Sequence, residues 1–251
     1  MLTVEHLSCG YGKTEVIHDL SFQVAAGERL CILGPNGCGK TTLLRALAGV
    51  LPCQGYMEAD GAALCGLTTK QRAKKIALMS QFSRPAFDYT VYEAVMLGRY
   101  AHRSGSLFPA ETVADRAAVE DALRRTGVWE LREHSVMRLS GGQLQRVFLA
   151  RTFAQEPQII LLDEPANHLD LRYQAALLES LRDWTADKRR CVAGVFHDIS
   201  LALAFADKAL LLEEGRALAC GPVEGLDERM LDRLYGMDVR SYMKRMYGRW
   251  E

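Results

Sequence analysis

The 251-residue sequence has no excess charge of either sign, since 31 lysines and arginines face 31 aspartates and glutamates. A balanced chain has no electrostatic reason to seek nucleic acid or an anionic membrane surface. It also lacks any C-x-x-C pair. Its seven cysteines, at 9, 31, 38, 53, 65, 191 and 220, stand singly and in odd number. That excludes a disulfide framework or a cysteine zinc site and suits a reducing compartment. No apolar run approaches the ~20 residues needed to span a bilayer. The first seven residues lack the basic-then-apolar order of a signal peptide. The expectation is a soluble chain that meets a membrane only through a partner. No repeat of solenoid period is present, and the length suits one large domain, with or without an insertion.

What is present is concentrated in Gly34-Pro35-Asn36-Gly37-Cys38-Gly39-Lys40-Thr41-Thr42. It fits G-x-x-x-x-G-K-[ST], the loop whose backbone amides cradle nucleotide phosphates. Glycines let amides crowd an anion and adopt positive φ cheaply. Lys40 is expected to reach the β- and γ-phosphates, and Thr41 to offer its hydroxyl to Mg²⁺. Arg29 to Leu33 reads as a buried strand before the loop, and Lys40 to Ala48 as a helix stopped by Gly49. Such a helix aims free amides and the positive end of its dipole at the phosphates.

The flanking chain reads as an α/β protein. Residues 1–30 alternate in short runs that predict antiparallel strands and turns. Tyr11, flanked by glycines, is either a turn aromatic or a ring poised to stack on a base. A further strand is expected from Tyr56 to Leu64, a helix from Thr68 to Lys75, and a buried strand from Ile76 to Ser80 ending at Gln81. Helical periods then dominate, best over Thr90 to Leu97 and Ala110 to Arg125, and mark a helical insertion. Buried strands return at Ile159 to Leu162 and Cys191 to Phe196. Helices follow at Leu171 to Thr185 and Ile199 to Ala206, a hairpin spans 209–220, and short helices fill the tail.

Asp163 and Glu164 end an apolar strand, and ligands of parallel sheets bind at that carboxyl edge. Asp163 suits a Mg²⁺ ligand; Glu164 suits a general base for an attacking water. The pair could instead cap the following loop. His197 ends another strand, where a histidine is usually structural, and Gln81 ends a third, able to bring an amide to metal or water. Leu139-Ser140-Gly141-Gly142-Gln143 opens the helix Gln143 to Ala154 and makes a second anion-ready helix start. One nucleotide loop does not need a second.

Taken in order, Tyr11, residues 34–42, Gln81, the 139–143 pentapeptide, Asp163-Glu164, Asn167 to Asp170 and His197 resemble the nucleotide-binding subunits of ATP-binding cassette transporters. The resemblance covers essentially the whole chain. It implies a P-loop NTPase fold with a mixed sheet core, an N-terminal antiparallel β subdomain and an inserted helical subdomain. Boundaries on this reading are 1–83 and 146–251 for core and β subdomain, and 84–145 for the helical part. It further implies that Tyr11 stacks on adenine, Gln81 senses the γ-phosphate, Glu164 is the base and His197 the switch histidine. Ser140, Gly141, Gly142 and Gln143 would contact ATP held by a second copy, so that two chains sandwich two ATPs head to tail. Thr41, Gln81 and Asp163 would hold Mg²⁺. Ala166 stands where many relatives have Thr or Ser.

Residues 34–40, Thr90 to Tyr100 and the tail resemble the ATPases of iron-siderophore, haem and cobalamin importers. That subgroup implies an integral membrane permease dimer as partner, a substrate-binding protein beyond it, and a place at the cytoplasmic membrane face. The competing reading is a soluble ATPase of the same family serving a non-membrane assembly such as iron–sulfur cluster machinery.

Overall fold

The computed structural model describes residues 1–80, 87–103, 110–167 and 169–248. The N-terminal third holds β1 (Leu2–Tyr11), β2 (Thr14–Val24), β3 (Arg29–Leu33), α1 (Lys40–Leu47), β4 (Cys53–Ala59) and β5 (Ala62–Ala63). Next come α2 (Thr69–Ala73), β6 (Ile76–Met79), α3 (Val91–Met96), α4 (Val113–Arg125) and α5 (Gly141–Ala154). The remainder is β7 (Ile159–Asp163), α6 (Leu171–Ala186), β8 (Cys191–Val195), α7 (Ile199–Phe205), β9 (Lys208–Glu213), β10 (Arg216–Pro222), α8 (Glu228–Tyr235) and α9 (Val239–Tyr247).

Two sheets result. An antiparallel sheet runs β2-β1-β4-β5, and a mixed sheet runs β10-β9-β3-β8-β7-β6. In the mixed sheet β9, β3, β8, β7 and β6 are parallel, and β10 pairs antiparallel at the edge. Its inner strands are buried on both faces, and their side chains alternate between two cores. Leu30, Ile32, Ile159, Leu161, Cys191 and Ala193 pack toward α1 and the antiparallel sheet. Cys31, Leu33, Ile160, Leu162 and Val192 pack toward α5, α6 and α7. The parallel direction brings the ends of β3, β7 and β8 to one edge.

Three local expectations shift. The strand expected over 56–64 begins at Cys53 and is broken into a hairpin, because Asp60 (φ 54°) and Gly61 (φ 74°) turn left-handed. The helix expected from Ala110 starts at Val113, since Thr112 forms a capping box with Asp115. The helix expected from Gln143 starts two residues earlier, because Ser140 is the N-cap and Gln143 closes its box. The α5 helix runs unbroken past 145 and packs against α3 and α4. The layer is tied down by Arg99, which donates to Asp115 at 3.0 Å, Ala154 O at 2.8 Å and Glu156 at 2.6 Å.

Candidate nucleotide site

The loop between β3 and α1 is built for backbone, not side chains. A Cβ on Gly34 would strike Leu212 O and sit 2.7 Å from Cys38 Sγ. Gly39, at φ 107°, has Ile17 Cδ1 2.7 Å from the place of a Cβ. Pro35, Asn36 and Gly37 form the exposed crest, with Gly37 at φ 82°. Cys38 is buried beneath it and its carbonyl accepts from Gly215 N–H at 3.0 Å. Lys40 and Thr42 are buried in the first turn of α1. The ammonium of Lys40 donates to Gly34 O (2.7 Å) and Pro35 O (2.8 Å), so it is held over the loop's mouth. Tyr235 of α8 also reaches the loop, through the Gly34 backbone; burial pushes its phenol up to about 12, with that contact acting in the opposite sense.

Thr41 Oγ1 donates to Asp163 Oδ1 at 3.1 Å. Asp163 ends β7 with only 4% exposure. Burial pushes its carboxyl above the usual range, opposed by the Thr41 hydrogen bond and reinforced by nearby Glu164. A carboxylate desolvated this way beside a hydroxyl is matched by a hard divalent cation, which takes oxygen ligands and keeps some waters. The pair therefore fits Mg²⁺.

Glu164 turns left-handed at φ 56°, a conformation that costs a non-glycine residue about 1–3 kcal/mol. Its N–H donates to Val195 O at 3.0 Å. The turn lays its carboxylate against the loop after β8: Oε1 lies 2.6 Å from His197 Nε2, and Oε2 accepts from Asn167 Nδ2 at 2.7 Å. Both Glu164 oxygens are therefore fixed, while His197 stays half-exposed. Nothing local in the sequence announces the left-handed glutamate, and Asn167 was visible only within the family motif.

Tyr11 is exposed at the end of β1, borders a cavity of about 490 Å³ and accepts from Arg45 Nη1 of α1 at 3.1 Å. That link ties the aromatic to the phosphate-loop helix. Ser140 and Gly141 are exposed at the start of α5, with Gly142 and Gln143 half-buried. Among the described residues no hydrogen bond joins them to Lys40. Gln145, one helical step on, is buried and donates Nε2 to Pro165 O at 2.8 Å, just after Glu164. Gln81 lies outside the described residues.

A glycine phosphate loop, a Thr–Asp pair and a pinned carboxylate on one edge of a parallel sheet define a P-loop nucleotide hydrolase. A sequence profile described as "ABC transporter" matches residues 17–167. The chain is 39% identical, over 93% of its length, to the ferric enterobactin transport ATP-binding protein FepC of Escherichia coli (strain K12), and covers 86% of it. It is also 39% identical, over 96% of its length, to the uncharacterized ABC transporter ATP-binding protein YvrA of Bacillus subtilis (strain 168), of whose length it spans 54%. Among solved structures, an inward-facing ABC transporter assigned to the metal-chelate type superposes with a TM-score of 0.79 at 31% identity, over 94% of this chain and 88% of that one. A dimeric ATP-binding cassette in a post-hydrolysis state, bound to ADP and Pi, gives 0.77 at 26% identity, over 90% of this chain and all of that one. The chain belongs to the ABC transporter family and is one of its ATP-binding ATPases.

Proposed function

We propose that the chain is the ATP-hydrolysing subunit of an importer and acts as a head-to-tail homodimer beneath a membrane permease. The observation that carries the hydrolytic reading is the Glu164–His197 pair, 2.6 Å apart, on the same edge as the Thr41–Asp163 pair. Loop amides and Lys40 bind the phosphates, and Tyr11 stacks on the adenine. A water oxygen attacks the γ-phosphorus and the bond to the bridging oxygen of ADP breaks. Glu164, oriented by His197 and Asn167, takes the proton from that water. Thr41 and Asp163 would hold Mg²⁺, which would supply neutralisation of the developing phosphate charge. Gln81, outside the described residues, keeps the γ-phosphate-sensing role only as an assignment from the family resemblance.

The dimer reading is supported by Gly141. A Cβ there would meet nothing within 4 Å, so this chain's own packing does not require glycine. An anion held by a second copy does require it, because α5 can then approach with bare amides. Loss of the γ-phosphate removes the shared charge and lets the copies part. The segment 84–145, as a helical subdomain, carries that motion to the permease. Among the described residues no helix is long and apolar enough to cross a membrane, so membrane attachment on this reading runs through the permease.

Of the three cargo classes, iron-siderophore is the one that the likeness to the ferric enterobactin protein supports; haem and cobalamin stay alternatives, and the cargo on this reading comes through a separate binding protein. Glu164→Gln is the decisive variant. It is expected to keep ATP affinity and lower turnover about a hundredfold or more. Turnover at the wild-type rate removes Glu164 from the role. Cells lacking the gene are expected to lose uptake of one such chelate, and unchanged uptake of all three classes rejects the cargo assignment.

A further inference from the structure

Away from the nucleotide edge, a cavity of about 440 Å³ opens between α4, α5 and α6. Four arginines line it: Arg124 and Arg125 from the last turn of α4, Arg146 from α5 and Arg172 from α6. Among the described residues no acidic one lines it. The carboxylates that pair with two of them, Glu120 (2.8 Å from Arg124) and Asp121 (3.3 Å from Arg125), sit one turn back on α4, outside the wall.

Arg146 is the informative one. Its guanidinium lies 4.2 Å over the Tyr173 ring, and Nη1 donates to Gly127 O at 2.9 Å. Its Nε is buried and has no hydrogen-bond partner among the described residues. A buried donor left unpaired is costly, and a charged one more so. Arg172 makes no ion pair among the described residues either.

Part of this has a plain structural explanation: cations in the last turn of α4 complement its dipole. That accounts for Arg124 and Arg125 but not for arginines on two other helices converging on the same space. Arg146 and Arg172 have no ion pair among the described residues, and the carboxylate partners of Arg124 and Arg125 stand outside the wall. That leaves a net positive potential focused by low-dielectric walls, and planar guanidinium forks match phosphate oxygens. The Tyr173 ring and Leu177 add an apolar wall for a body attached to the anion. The volume lies in the range of small-molecule sites, roughly 300–1,000 Å³.

We propose that this cavity is a second anion site, one that takes a phosphate ester: a free phosphorylated small molecule or the headgroup of an anionic phospholipid. It is separate from the phosphate loop and does not rest on the hydrolysis reading. Arg146 directly follows Gln145, which holds Pro165 O beside Glu164, so a ligand drawing α4 and α6 onto Arg146 bears on the turn that carries the carboxylate.

The full chain, saturated with Mg-ADP so that the phosphate loop is filled, is titrated calorimetrically with pyrophosphate at excess Mg²⁺. In parallel it is sedimented with phosphatidylcholine vesicles with and without phosphatidic acid. Saturable binding to either probe is expected, weakened about tenfold or more by Arg146→Ala and by Arg172→Glu, with Mg-ADP affinity and thermal midpoint unchanged. Pyrophosphate binding identifies a soluble ligand, and binding confined to phosphatidic-acid vesicles identifies a headgroup. No saturable binding of either probe, or binding that both variants leave intact, overturns the proposal. Should Arg146→Ala fail to fold, the exposed Arg172→Glu decides it alone.

Discussion

Two helices of this chain start with amides free to hold an anion, and they are built in opposite ways. At α1 the preceding loop is over-determined from within: Gly34 and Gly39 have no room for a Cβ, and Lys40 is buried and pinned by two carbonyls. At α5 the start is exposed, and the position of a Gly141 Cβ is open space. Packing therefore explains Gly34 and Gly39, a left-handed φ of 82° explains Gly37, and neither explains Gly141. On the proposed dimer, the contrast separates a half-site finished inside one chain from one finished by a second copy.

Several substitutions test that contrast, beginning with the largest effect. Lys40→Ala removes the ammonium from the mouth of the loop, and ATP affinity is expected to fall about a hundredfold in equilibrium binding. Ser140→Arg places a bulky cation at the exposed start. It is expected to leave monomer ATP affinity unchanged and to abolish ATP-dependent dimerisation in solution scattering of the Glu164→Gln background. If Ser140→Arg lowers both equally, α5 serves its own chain's nucleotide and the contrast fails.

A pair of glycine substitutions sharpens the comparison on stability. Gly39→Ala forces a methyl group at φ 107° against Ile17, and denaturant unfolding should show a loss of about 1–3 kcal/mol. Gly141→Ala meets open space within a helix, so stability should be unchanged or raised by up to about 1 kcal/mol while dimer-dependent turnover falls. Equal destabilisation by both would show that α5 is also fixed from within.

The last test concerns what anchors the second region. Burial would push the Asp115 carboxyl up, but hydrogen bonds from Arg99 and from the Thr112 amide and hydroxyl outweigh it and hold it at about 2, against an ordinary 3.8. A pKa depressed on folding adds stability above the unfolded value and loses it as pH falls through the folded one. That contribution should be complete above pH 3.8 and gone below about 2. Asp115→Ala should flatten the stability-versus-pH curve across that window. An unchanged curve would show that other carboxylates carry the acid sensitivity.

Much of this was legible beforehand for concrete reasons. Arg29–Leu33, Ile159–Asp163 and Cys191–Val195 are continuous apolar runs because both faces of a parallel strand are covered. Glycine spacing exposed the phosphate loop because close backbone approach tolerates no Cβ. Legibility failed where conformation is imposed from a distance. Glu164 is left-handed because Val195 O and His197, some thirty residues on, hold it there. The Cys53–Ala59 strand begins early because β1 pairs with it. Tyr11 is locally either a turn aromatic or a stacking ring, and its hydrogen bond from Arg45, 34 residues on, is a contact the local sequence does not show.

The order of residues alone determined the chemistry on offer: an anion-cradling loop, a lysine, carboxylates at strand ends and a second capped helix start. Each of these is local, set by side-chain size, charge and hydrogen-bonding reach within a few positions. Only the tertiary structure decided which of them meet. It set Thr41 on Asp163 and His197 on Glu164, and it gathered four arginines from three helices into one cavity, because long-range pairing of parallel strands and helix packing are settled by the whole core.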